Sequence, residues 1–206
     1  MMTPRKLSVI TGLSYLIIFF AAIFANFFML ESILKDPMVA IREEQMMIRL
    51  GIMAFMITVV FDVVVAWSLN ELYKSHPLTT LSTLFRMMHA AIMGVAIFAL
   101  PKALVLTDTG EILNQVDTFN TIWLIGLFFF GVHLILLGRI IARPKLIAVF
   151  LVIAGLMYMI DTSAHFVMEN YNEYSNLFLT LVAVPSIVGE MAFAIWLLLK
   201  GGKENA

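Results

Sequence analysis

Six apolar runs, each about 20 residues or longer, constrain this chain more than any other feature. Runs of that length have no charged face to turn toward water. In hydrocarbon, every backbone N–H and C=O must find its partner within the segment, and a helix does that for a single run. The runs fall at about residues 8–29, 46–70, 81–100, 119–142, 146–168 and 177–199. The expected fold is all-α: a bundle of six transmembrane helices forming one integral membrane domain over residues 1–206. Charged residues make up only 13% of the chain and gather between the runs, which a soluble domain would not tolerate.

Arg5 and Lys6 precede the first run, as they would in a signal peptide. The run is too long for a signal core and five more follow it, so a retained span is expected. Asp36-Pro37 marks a turn, and Ile41 to Glu44 suits a short interfacial helix. Lys102 to Asp117 reads as a loop with turn chemistry at Thr107 to Gly110, and the tail from Lys200 to Ala206 as polar and frayed. Pro185 is expected to kink the sixth span.

An even number of spans puts both termini on one side. That side carries Arg5, Lys6, Lys74, Arg139, Arg143, Lys145, Lys200 and Lys203. The other side carries Lys35, Arg42 and Lys102 among many carboxylates. Cationic loops stay in the cytoplasm, so the expected topology is N-in, C-in across an inner (plasma) membrane. No basic tract interleaved with aromatic residues points to nucleic acid. The absence of cysteine excludes disulfides, thiolate metal sites and cysteine nucleophiles. No catalytic-triad spacing, phosphate loop or dinucleotide fingerprint occurs.

Ionisable residues within spans are costly in lipid and are expected to face inward and find partners. Counting helical rise from the termini side puts Asp62, His89, His133 and Glu190 at one level, roughly 12–14 Å deep. Arg86 lies just below, on the same helix face as His89. A second cluster lies nearer the opposite side: Tyr158, Asp161 and His165 in one stripe, with Arg49 at comparable depth.

The structural explanation makes Asp62–Arg86 and Asp161–Arg49 neutralising ion pairs and leaves the histidines neutral and hydrogen-bonded. The functional explanation makes Asp62, Arg86, His89, His133 and Glu190 a site for a small ligand or a proton relay. His89, His133 and Glu190 are also candidate ligands for a divalent metal, which would suit a lipid hydrolase-like enzyme with Asp62 as base. A third reading is a structural or partner-stabilising protein. The fifteen methionines fit adaptable packing better than a copper path. Gly126, Gly131 and Gly138 suit close helix approach.

Several motifs carry a resemblance. They are Arg49-Leu-Gly51 leading to Asp62, Phe85-Arg86, Phe129-Phe-Gly-Val-His133 with Leu137-Gly138, Gly155-Leu-Met-Tyr158 with Asp161-Thr-Ser163, and Gly189-Glu190 with Trp196-Leu-Leu. Together they resemble a group of small bacterial six-span membrane proteins, the domain of unknown function 4386. The resemblance spans nearly the whole chain and implies a six-span fold, but it implies no activity. His89 and His165 stand outside the quoted motifs.

Overall fold

The computed structural model describes residues 2–141 and 143–203. Six of its helical rods are long and apolar enough to cross a membrane. The first rod, Pro4–Lys35, is built from α1 (Pro4–Phe24), a π-helical segment (Ala25–Leu30) and α2 (Glu31–Lys35). A short α3 (Pro37–Glu43) leads to α4 (Gln45–Leu72). Next come α5 (Thr79–Ile97), continued by α6 (Ala99–Ala103), and then α7 (Thr109–Ile140), α8 (Lys145–Val167) and α9 (Tyr171–Leu199).

The spans form a closed ring in chain order. α1 packs on α4, α4 on α5, α5 on α7, α7 on α8, α8 on α9, and α9 returns to α1. Short connections make consecutive helices antiparallel neighbours. An even count then lets the last helix close against the first. Arg5 fastens that closure: its Nη1 donates to the carbonyls of Leu197 and Gly201, both at 3.0 Å, and its Nη2 donates to Leu198 O. These carbonyls end α9 and have no intrahelical partner, and a cation suits the negative end of a helix.

Small residues set the tightest contacts. A Cβ on Gly155 would lie 2.4 Å from Gly131 O, and one on Gly131 would lie 2.6 Å from Gly155 O, so α7 and α8 touch backbone to backbone. The outer faces carry exposed Phe20, Val60, Leu84 and Val95, as a hydrocarbon solvent requires.

Two apolar clusters plug the ring. On the termini side, Tyr15, Leu69, Leu134, Leu151, Phe193 and Leu197 pack together. On the opposite side, Met29, Ile33, Ile41, Phe55, Leu100, Ile112 and Phe119 form the second plug. The polar level lies between them.

Several boundaries differ from the sequence expectation. α7 begins at Thr109, inside the expected loop, because Asp108 caps it by accepting from Glu111 N at 2.9 Å. Its first turns are wet on one face, but Ile112 and Val116 are buried in the second plug, so hydropathy alone hid them. α9 likewise begins at Tyr171. The interfacial helix starts at Pro37, with Asp36 accepting from Val39 N at 3.1 Å. Helix α7 ends at Ile140; the expected end of that span, Ala142, and the end of the tail lie outside the described residues. Pro185 is buried inside α9, which runs on through it.

Candidate functional site

Arg86 is the organising side chain. It stands mid-span on α5 with only 1% of its surface exposed. A guanidinium at that depth must be hydrogen-bonded, and three neighbours meet it. Its Nη2 donates to Asp62 Oδ1 at 2.5 Å from α4, the adjacent helix in the ring. Its Nη1 donates to Tyr15 Oη at 2.9 Å from α1 and faces His133 Nε2 at 3.3 Å from α7. The rings of Tyr15 and Phe130 lie 4.9 Å and 5.2 Å from the guanidinium carbon, within cation–π range. Its Nε, fully enclosed, has no partner among the described residues.

The contacts of His133 assign its tautomer. Nε2 faces a donor that is always protonated, so Nε2 must accept. The ring proton therefore sits on Nδ1, which lies 3.0 Å from Ser82 O and 2.9 Å from Ser82 Oγ. Both nitrogens are engaged, Nε2 by Arg86 and Nδ1 by Ser82, and both contacts tie α7 to α5.

His89, one turn along from Arg86, meets the other oxygen of the same carboxylate. Its Nδ1 lies 3.0 Å from Gly126 O, which can only accept, so this nitrogen donates. Its Nε2 lies 3.7 Å from Asp62 Oδ2, too far for a direct hydrogen bond. Both residues line a cavity.

The cavity has a volume of about 440 Å³ and is lined by all six spans. That lies within the roughly 300–1,000 Å³ typical of small-molecule sites. Its walls are mainly apolar, including Ile18, Phe19, Leu127 and Ile187. Its polar side comprises Asp62, Arg86 and His89, with Glu190 and Ser186 from α9 and Tyr158 from α8. Glu190 is half-buried, and its carboxylate accepts no hydrogen bond from the described residues.

The structure thus brings Asp62, Arg86, His89 and Glu190 to one cavity and puts His133 behind Arg86. The three candidate metal ligands do not converge: among the described residues no three His, Cys, Asp or Glu side chains form a group able to hold a metal ion. Neither nitrogen of His133 has a lone pair left for a metal.

The outer cluster separates. Asp161 is buried and accepts from Tyr171 Oη at 2.7 Å, while the rings of His165 and Tyr171 meet edge to face at 4.7 Å. Arg49 is exposed and is not the counter-ion of Asp161. The ring order explains this: α4 packs between α1 and α5, whereas α8 packs between α7 and α9. Tyr158 turns from the stripe to the cavity and packs its ring against Phe130, 5.6 Å away.

The sequence reading missed Tyr15, Ser82 and Tyr171. Tyr15 carried a usable signal, since tyrosine favours membrane interfaces and this one lies well inside a span. Ser82 carried none, and Tyr171 read only as a tyrosine suited to a membrane interface, with nothing to pair it with Asp161.

Residues 10–201 match the domain of unknown function DUF4386. The chain belongs to this family. Every residue around Arg86 and the cavity lies inside the matched stretch. The DUF4386 chain is also similar to an uncharacterized protein of Archaeoglobus fulgidus, 28% identical over 159 residues, which covers 74% of this chain and 85% of the relative. That relative is archaeal, so it lends no support to the bacterial setting the resemblance implied. No solved structure matches the DUF4386 chain.

Proposed function

We propose that this DUF4386 protein binds a small ligand in the cavity at the centre of its helix ring. One observation supports the reading: a space of about 440 Å³ is lined by Asp62, His89 and Glu190, which keep polar atoms without a hydrogen-bond partner among the described residues. Packing alone favours dry, one-to-one ion pairs. Arg86–Asp62 is such a pair, but among the described residues Asp62 Oδ2, His89 Nε2 and the Glu190 carboxylate have no direct hydrogen bond. A buried polar group without a partner is costly, so a ligand or water is expected to supply it. Binding is favoured over a proton relay because the inner line runs from His133 through Arg86 to Asp62, and a guanidinium does not give up its proton.

The wider assignment is a single integral membrane domain in the plasma membrane, both termini cytoplasmic. The cationic residues on the termini side support that orientation. A reporter fused to the C terminus tests it, and periplasmic activity would overturn it.

The natural chain contains no cysteine, which makes the binding reading simple to test. Ala183 lines the cavity, whereas the next residue, Val184, is 56% exposed on the outer face. Cysteine at 183 is expected to react with a maleimide and cysteine at 184 to stay inert, since thiolate forms only where water reaches. Equal inertness at both positions would mean a dry interior and end the reading.

A further inference from the structure

Two features of the cavity narrow what it holds. The first is its polar inventory. His89 spends its only proton on Gly126 O, so Nε2 presents a lone pair. Asp62 gives Oδ1 to Arg86 and keeps Oδ2. Glu190 adds a second carboxylate to the wall. Asp62 Oδ2, His89 Nε2 and the Glu190 carboxylate are acceptors, the Tyr158 hydroxyl can donate or accept, and the one unpartnered donor of Arg86, Nε, is enclosed. The site also sets two carboxyl groups, Asp62 and Glu190, against one guanidinium, so with Glu190 ionised one negative charge has no local counter-ion.

The second feature is the way in. Close contacts between α1 and α9 lie toward the termini. A Cβ on Gly12 would lie 2.7 Å from Leu198 Cγ, the rings of Tyr15 and Phe193 meet at 5.9 Å, and Arg5 reaches the end of α9. Farther along, Phe27 and Leu179 line the cavity while remaining 63% and 64% exposed on the outer face. The cavity therefore opens sideways to lipid between these helices. Phe27 lies in the π-helical segment, a departure from regular helix that often marks functional positions.

Building on the ligand-binding reading, we infer that the cavity takes a single-chain amphiphilic amine from the bilayer. The alkyl chain lies in the apolar slot between α1 and α9. The ammonium donates to Asp62 Oδ2, His89 Nε2 and Glu190, and its positive charge balances the site. An ammonium has three donors and no acceptor, which complements this set. An anionic head would face two carboxylates, and a neutral alcohol would bring a single donor and no charge.

Trp123 lines the cavity and supplies the readout. In phosphatidylcholine nanodiscs, the full chain carrying Trp67→Phe and Trp196→Phe has Trp123 as its only tryptophan. A bromoalkylamine is expected to quench it saturably, at a concentration roughly tenfold or more below that of the matched bromoalkanol. The matched bromoalkyl sulfate should quench no better than the alcohol. Glu190→Gln keeps the side-chain shape and breaks no hydrogen bond, and it should remove most of the preference for amine. Saturable quenching with equal strength for all three head groups, or strongest for the sulfate, overturns the amine assignment and leaves ligand binding standing. No saturable quenching by any of them, with a maleimide-inert cysteine at 183, overturns both. Doping the disc with phosphatidylethanolamine, a two-chain lipid amine whose head also carries a phosphate, tests the chain number: competition equal to that of the bromoalkylamine overturns the single-chain assignment, and its absence supports it.

Discussion

Arg86 and Asp62 face each other from neighbouring spans, Nη2 to Oδ1 at 2.5 Å, with 1% and 5% of their side chains exposed. The two residues are 24 apart in sequence and belong to helices joined by a tight turn. Neither charge has solvent to retreat to, so removing one strands the other. Asp62→Asn and Arg86→Met should each destabilise the protein by about 3–5 kcal/mol. The double variant Asp62→Asn with Arg86→Met should recover part of that loss. Thermal unfolding in detergent checks this, and a double variant less stable than both singles would contradict it.

Tyr15→Phe keeps the ring that packs on Phe193 and Arg86 but removes the oxygen that accepts from Nη1. A hydrogen bond to a charged group contributes about 1.5–3 kcal/mol, so a loss of that order is expected. An unfolding midpoint equal to the parent's would mean that Tyr15 only fills space.

Glycines on α7 and α8 should behave unlike a glycine facing open space. Gly155→Ala puts a methyl against Gly131 O and forces the helices apart, at a cost of about 1–3 kcal/mol. Gly94 has nothing near its would-be Cβ, so Gly94→Ala should be neutral or stabilise by up to about 1 kcal/mol through helix propensity. Paired melting curves of the two variants test the contrast.

The outer carboxylate offers a direct comparison. Tyr171→Phe removes the hydrogen bond that Tyr171 Oη donates to Asp161 Oδ1 and should lower the melting temperature. Arg49→Gln should leave it unchanged, because Arg49 is exposed and pairs with no carboxylate among the described residues. The reverse ranking would restore the Asp161–Arg49 pair.

Arg5→Ala should loosen the end of α9. Three carbonyls lose their donor, so amide exchange should rise over the last turn, from Leu197 to Gly201, while the centre of α9 stays protected. Unchanged exchange there would show that the closure of the ring does not depend on this cap.

The sequence by itself determined the class of fold and the number of spans, because both follow from local hydropathy. Long runs must become helices in lipid, and short connections must make neighbours antiparallel. It also determined that Asp62, Arg86 and His133 turn inward, since lipid penalises the alternative wherever the partners lie. Only the tertiary structure decided which partners they meet. Ring order put Arg86 beside Asp62, whereas it separated Arg49 from Asp161. Helix rotation sent His133 behind the guanidinium, while Glu190 went to the cavity. The space between α1 and α9 depends on how two rods from opposite ends of the sequence diverge after packing closely at one end. Hydropathy records how deep a residue sits along the membrane normal. It carries no information about the angle at which each helix faces its neighbours, and that angle decides every contact around Arg86.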